Sequence, residues 1–221
     1  MTTPSVALCV SCALLASASA SAGFTGYSVQ RTITAGGNSQ YQVFANFDQS
    51  NLVFLNAFSF VNVSGTMNAR HQDFFVADGE VGTWQAGSSV SAVDRGEDSW
   101  VTASGLATSS GWGTALDPGF ANGGAVRDIN NGAGWYDATP GSANAIQAGG
   151  PLGGYRILLM QVVRTGDDWL ACSLHSMQIS WKLAGTTTAI FGNGSFYIGC
   201  PAPGAMSLLL AGGIAQRRRR H

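Results

Sequence analysis

NLVFLNAFSFVNVS, residues 51–64, is the stretch whose reading decides the fold. Leu52, Phe54, Phe58 and Phe60 fall on one side of an extended chain, and Val53, Leu55, Ala57, Val61 and Val63 on the other. β-branched and aromatic residues at a period of two suit a strand and lack the 3.6-residue stripe of a helix. Apolar residues on both sides predict a central strand covered on each face, as in two packed sheets. Asn56 and Asn62 interrupt the apolar face.

The neighbouring stretches repeat the signal. GYSVQRTI (26–33) aligns Tyr27, Val29 and Ile33, AGGNS (35–39) supplies turn residues, and YQVFANF (41–47) aligns Tyr41, Val43, Ala45 and Phe47, which together predict a hairpin. YRILLMQVVR (155–164) and SLHSMQISWKL (173–183) predict two further strands, the second with Cys172 and Leu174 on one face and Met177, Ile179, Trp181 and Leu183 on the other. TTTAIF (186–191) and GSFYIG (194–199) predict a closing hairpin that turns at Gly192-Asn193-Gly194. From about 64 to 154 the strand signal thins into Gly-, Asn-, Asp- and Ser-rich sequence punctuated by tryptophans, which predicts long loops. The expected fold is all-β: a two-sheet antiparallel β-sandwich of about eight strands, with a jelly-roll topology as one arrangement of it.

Composition narrows the function. Between residues 23 and 199 the cations are Arg31, Arg70, Arg95, Arg127, Arg156, Arg164 and Lys182, set against all twelve acids of the chain. The body is therefore mildly acidic and lacks the basic footprint that nucleic acid requires. Cys172 and Cys200 are the two cysteines of the body and its C-terminal junction. In an oxidising compartment they would close a loop of 28 residues, a bridge worth on the order of 3 kcal/mol. The alternative, one buried thiol and one free or processed thiol, stands beside it.

Three sets of side chains are candidates for chemistry. Trp84, Trp100, Trp112, Trp135 and Tyr136 lie in or beside the loop-rich middle, where aromatic faces among Asn and Asp suit stacking on a sugar ring. The same rings also suit pinning Gly-rich loops to a sandwich, and that is the expectation preferred here. DINNGAGWYD (128–137) offers Asp128, Asn130 and Asp137 as oxygen ligands for calcium, yet its Gly comes one position early for an EF-hand and Thr139 stands where that loop has Glu. Ordinary Asx-turns account for these acids more simply. A glycoside hydrolase needs two facing carboxyl groups, and the only glutamates are Glu80 and Glu97. No GxSxG elbow occurs, and His71, His175 and His221 stand without the context of a nucleophilic triad.

The two ends carry the localisation signal. MTTPSVALCVSCALLASASASAGF runs apolar from Val6 to Ala16 and reaches Ala20-Ser21-Ala22, an A-x-A site before Gly23, so residues 1–22 read as a signal peptide with a short helical core. At the other end Cys200-Pro201-Ala202-Pro203-Gly204 precedes an apolar run from Ala205 to Ala215 and the cations Arg217, Arg218, Arg219 and Arg220. Eleven helical residues span roughly 16 Å, well short of the ~30 Å hydrocarbon layer. The arginines resist crossing it, so such a plug is suited to being held, cut and released.

This order of Pro-rich motif, short apolar helix and basic stop resembles the PEP-CTERM class of sorting signals, with Ala202 in place of the usual Glu between the prolines. The resemblance covers about the last twenty residues. It implies export from a Gram-negative-type cell, processing by signal peptidase and by an exosortase-like transpeptidase, and transient membrane contact through the tail. Asp98-Ser99-Trp100-Val101-Thr102, Leu116-Asp117-Pro118 and Gly134-Trp135-Tyr136 are similar to short stretches in a group of exported proteins that carry such tails, a resemblance that implies no particular activity. The organisation expected is therefore a signal peptide (1–22), one β domain (23–199) and a sorting tail (200–221). The expected role is structural or adhesive at the cell surface or in the extracellular matrix, without catalysis or a required cofactor, against extracellular polysaccharide or envelope components. A glycan-binding module, with or without calcium, is the alternative, and a small glycoside hydrolase comes third.

Overall fold

The computed structural model describes residues 23–71, 84, 96–105, 114–121, 128–138, 147–150, 154–166 and 172–199. They form ten strands: β1 (Phe24–Ile33), β2 (Ser39–Phe47), β3 (Leu52–Ser64), β4 (Trp100–Gly105), β5 (Thr114–Leu116), β6 (Trp135–Asp137), β7 (Gln147–Ala148), β8 (Tyr155–Arg164), β9 (Ser173–Leu183) and β10 (Ile190–Ile198). Every pairing is antiparallel. One sheet has the order β1-β2-β8-β4, with β7 also on β8, and the other β10-β9-β3-β6-β5. The chain is all-β with two antiparallel sheets; residues 1–22 and 200–221, with the signal and sorting readings placed on them, lie outside the described residues.

The β1–β2 hairpin forms where alternation and turn residues foretell it, with Ile33 opposite Ser39. Its turn closes through Gly37 N–H to the Thr34 carbonyl at 3.0 Å, and Gly37 takes a φ of 76°, which a glycine adopts without steric cost. Tyr41, Val43, Ala45 and Phe47 face inward from β2, as expected. They meet Phe54, Ala57, Ile179 and Trp181 of the other sheet in one shared core, so the arrangement is sandwich-like. The opposite face of the first sheet is covered as well: Phe44, Trp100 and Leu158 form a second buried cluster, and the Arg156 guanidinium sits 4.1 Å from the Phe44 ring centroid.

β3 departs from its expected pattern. Register shifts fall between Phe54 and Asn56 and between Phe58 and Val61, and Ser59 between them has a φ of 51°. Each shift changes the parity of the alternation, because a bulge sets two residues against one. Ala57 thus faces inward in place of Phe58, Phe60 returns to the face expected of it, and Val61 and Val63 on the opposite face are exposed where burial was expected. The strand is central in its sheet, with one face buried and the other half-buried to exposed.

The hairpin read at Gly192-Asn193-Gly194 is not there either. β10 runs unbroken from Ile190 to Ile198, and the turn from β9 falls at 184–189. The two glycines lie on the inward face of β10, where a Cβ on Gly192 would stand 2.8 Å from the Phe24 ring and 2.9 Å from that of Trp181. They are glycines because rings from β1 and β9 occupy the space their side chains would need.

The middle third contributes strands as well as loops. β4 pairs with β8, and the short β5 and β6 extend the second sheet beyond β3. Segments of two or three residues carry almost no periodicity, so only tertiary pairing specifies them. Here the three short stretches of the exported-protein resemblance meet. Leu116 pairs with Trp135, the Trp135 indole N–H donates to the Thr102 carbonyl at 3.1 Å, and Asp117 N–H donates to the Gly134 carbonyl at 2.9 Å. Gly134 has no room for a Cβ, which would lie 2.8 Å from the Ala57 carbonyl oxygen and press on the Asp117 carboxylate.

Candidate functional site

The aromatic set named from the sequence divides. Trp84, Trp100 and Trp135 are fully buried, so their faces cannot stack on a sugar; they pack the interior, the bland outcome for such rings. Trp84 contacts His71 and Phe120 at ring centroid distances of 4.7 and 6.4 Å, and Trp135 contacts Phe120 at 6.3 Å. Tyr136 is the exception, 40% exposed and outward-facing on β6. Trp112 lies outside the described residues.

The oxygen set proposed for calcium is engaged in loop structure. Asp128 Oδ1 accepts from the Met67 N–H and, at 3.3 Å, from the Asn68 N–H. Asn130 accepts from Ala121 N–H and donates to the Gly119 carbonyl, both at 2.8 Å. Asp137 stands opposite Thr114 at the end of the β5–β6 ladder. These are ties between segments remote in sequence, where local Asx-turns were expected, and among the described residues no three His, Cys, Asp or Glu side chains converge on a metal position.

Glu97, the described member of the glutamate pair, is bound into the β1–β2 turn: its carboxylate accepts from Gly36 N–H at 2.7 Å and Asn38 Nδ2 at 2.8 Å. Burial pushes its pKa up, but hydrogen bonds from Thr34, Asn38 and Gly36 and the charge of Arg70 outweigh that and hold it below the ordinary value. A carboxylate so committed clamps a turn. Glu80 and His221 lie outside the described residues. His71 is a loop histidine whose Nδ1 is 3.6 Å from Asp98 Oδ1.

His175 belongs to a buried polar network that the sequence did not reveal. Arg164, wholly buried, donates through Nε to the Met67 carbonyl at 2.7 Å and through Nη2 to the Thr66 carbonyl and to Ser173 Oγ, each at 2.8 Å. His175 Nε2 lies 2.8 Å from Ser173 Oγ, and Nδ1 lies 2.9 Å from Asn62 Oδ1. Asn62 Nδ2 donates to the Ile129 carbonyl, which turns its oxygen toward the imidazole, so Nδ1 carries the proton and Nε2 accepts from the serine. Burial and the neighbouring Arg164 charge push the His175 pKa down to about 4, with Asp128 opposing them. Ser, His and Asn in this order imitate a nucleophilic triad, but Ser173 and His175 are buried in the core and out of reach of a substrate.

The described residues with a surface suited to contact lie on the outward face of the second sheet. Phe191 is 60% exposed and Tyr197 55% exposed on β10. Register places Phe191 beside Ser180, Ser180 beside Asn56 and Asn56 beside Tyr136, a row across four strands. A second row sets Asn193 beside Gln178 and Phe58. Phe58 packs edge-on against Phe191 at 6.2 Å between centroids, and the Ser180 hydroxyl donates to Asn56 Oδ1 at 2.6 Å. Among the outward residues of β3, β6, β9 and β10 Lys182 is the one formal charge, and the Asp117 carboxylate lies beside Gly134 and Phe58 at the β5 end. Alternation in IFGNGSFYI could have found Phe191 and Tyr197 once its glycines were assigned to the inward face of a strand.

Cys172 is disulfide-bonded, and its partner lies outside the described residues, as do Cys200 and the sorting residues Pro201 to Gly204 and Arg217 to Arg220. Neither family models, nor curated proteins, nor solved structures match this chain.

Proposed function

We propose that this chain is an exported, surface-sorted protein that works by contact, as a structural or adhesive component of the cell envelope or extracellular matrix. In this reading, residues 1–22 direct export, the two-layer sandwich of residues 23–199 is the functional body, and residues 200–221 are presented to an exosortase-like transpeptidase. The observation that carries the reading is the asymmetry of the second sheet. Its inner face is packed, while its outer face holds Phe191, Tyr197 and Tyr136 in the open, with Lys182 the one charged side chain among the outward residues of β3, β6, β9 and β10. Apolar side chains left exposed together on one sheet face support an interaction surface. Of the groups a hydrolase would use, Glu97 is tied into a turn and His175 into a core network.

The test follows the native protein in its own cell. Replacing Arg217–Arg220 with Ser should change processing and release the protein into the medium or hold it in the membrane fraction. Identical processing of both forms, or recovery of the intact chain among cytosolic proteins, would refute the reading.

A further inference from the structure

We infer that the outward face of β10, β9, β3 and β6 is a platform for a neutral polysaccharide, with Phe191, Tyr197 and Tyr136 as stacking rings and Gln178 and Asn193 as hydrogen-bonding side chains. The inference rests on the reading of this face as the contact surface and names what it contacts.

Dimensions come first. Phe191 and Tyr197 are six residues apart on the same side of β10, about 20 Å at strand rise. From Phe191 to Tyr136 the register crosses three inter-strand steps, about 15 Å. The span between the rings, about 15 by 20 Å, accommodates several linked sugar rings, and β3 continues the face with the exposed Val61 and Val63.

The chemistry points the same way. A pyranose has an apolar C–H face, which an aromatic ring covers, and an edge of hydroxyls, which amides bond as donor and acceptor at once. The platform holds both, because the Asn193–Gln178 pair lies between Phe191 on one side and, beyond the Ser195–Ser176 pair, Tyr197 on the other. The outward residues of β10, β9, β3 and β6 carry a single charge, Lys182, the Asp117 carboxylate beside Gly134 adds a negative one at the β5 end, and the body between residues 23 and 199 is acidic. An anionic polymer would find repulsion without a matching cationic row. The strands also hold the rings in place: Gly192 and Gly194 let β10 sit against Phe24 and Tyr27, so the outward residues stand on a rigid strand.

The experiment uses the full-length chain and measures retention on microcrystalline cellulose, galactomannan and dextran as neutral probes, and on alginate as an anionic one. Retention on at least one neutral polymer, unaffected by high salt, is the expected result. Phe191→Ala and Tyr197→Ala should each weaken it by about tenfold or more, with Asn193→Ala as a polar variant and unfolding midpoints as the check on folding. Lys182→Gln should leave it unchanged. Absence of retention on all three neutral probes, equal retention on alginate, undiminished binding by both ring variants, or a dimer that Phe191→Ala abolishes would each overturn the inference. A surface-located chain that binds no neutral probe would remove the polysaccharide and leave the surface reading intact; a cytosolic chain would remove the surface reading whatever it binds.

Discussion

The Tyr27 ring of β1 lies against Gly194 of β10, so closely that a Cβ on that glycine would stand 3.1 Å from two of the ring carbons. The ring continues between the sheets, with Phe24 at 5.0 Å and Phe196 at 5.4 Å between centroids, and its hydroxyl donates to the Met177 carbonyl on β9 at 3.0 Å. Burial pushes the phenol's pKa up, which keeps it a donor at any physiological pH. Two edge strands of different sheets are thereby joined without a ladder between them.

Glycine-to-alanine substitutions should read this packing directly. Gly192→Ala places a methyl group 2.8–2.9 Å from the Phe24 and Trp181 rings and should cost about 1–3 kcal/mol, as overpacking does. Gly194→Ala meets ring atoms at 3.1 Å, where a small tilt of Tyr27 gives relief, so its cost should be smaller. Asn193→Ala, outward on the same strand, should stay within about 0.5 kcal/mol. Urea unfolding midpoints of the three variants check the order; equal effects would show that β10 is not seated on these rings.

That strand also marks where the sequence is legible. The hairpin of β1 and β2 was readable because Tyr41, Val43, Ala45 and Phe47 alternate without interruption and a glycine-rich turn precedes them. Gly-Asn-Gly, by contrast, signals a turn in isolation, and only the rings of Phe24 and Tyr27, remote in sequence, make it a strand. Likewise Phe58 and Ala57 exchange faces because of bulges, which no periodicity reveals in advance. The candidate platform shares this dependence: its rings come from β10 and β6, brought into line only by the register of β9 and β3 between them, whereas Trp84, Trp100 and Trp135 belong to the interior.

Arg164 offers a second test. Its guanidinium is wholly buried and serves the Thr66 and Met67 carbonyls and the Ser173 hydroxyl, fastening residues 66–67 to β8 and β9. Arg164→Met leaves those three acceptors without this donor and should lower stability by about 2–4 kcal/mol. Arg164→Lys retains the charge without the fork geometry and should fall between wild type and the Met variant. Denaturant unfolding of both variants measures the difference, and a Met variant as stable as wild type would show that burial of the charge offsets its hydrogen bonds.

The pH dependence of stability should carry the signature of His175. Its folded pKa of about 4 lies below the ordinary 6.5, so between those values the unfolded chain binds a proton that the folded chain refuses. Stability contributed by the neutral imidazole is complete above about pH 6.5 and is lost as pH falls toward 4, on the order of 3 kcal/mol in all. Below pH 4 this loss levels off. His175→Gln removes the titrating group, so wild type should lose its advantage over the variant across that interval. A constant difference from pH 7 to 4 would mean that His175 is no more reluctant to protonate in the fold than out of it.

Glu97 should act on the acid side of that window. Its carboxyl is held below the usual range, so the stability it contributes is complete above the ordinary glutamate pKa of 4.5 and is lost as pH falls through the lower folded value. Both of its oxygens accept, one from the Gly36 N–H and one from Asn38 Nδ2, so the amide of Glu97→Gln must turn a donor toward a donor at one of them. The substitution should cost about 1–3 kcal/mol at neutral pH, and the difference from wild type should shrink in acid as Glu97 takes up its proton. Because Asn38 Oδ1 also accepts from Gly166 N–H at 3.0 Å, the loosened turn should increase amide hydrogen exchange at Gly36 and Gly166 together. Faster exchange at Gly36 with Gly166 unchanged would show that the turn and the end of β8 open independently.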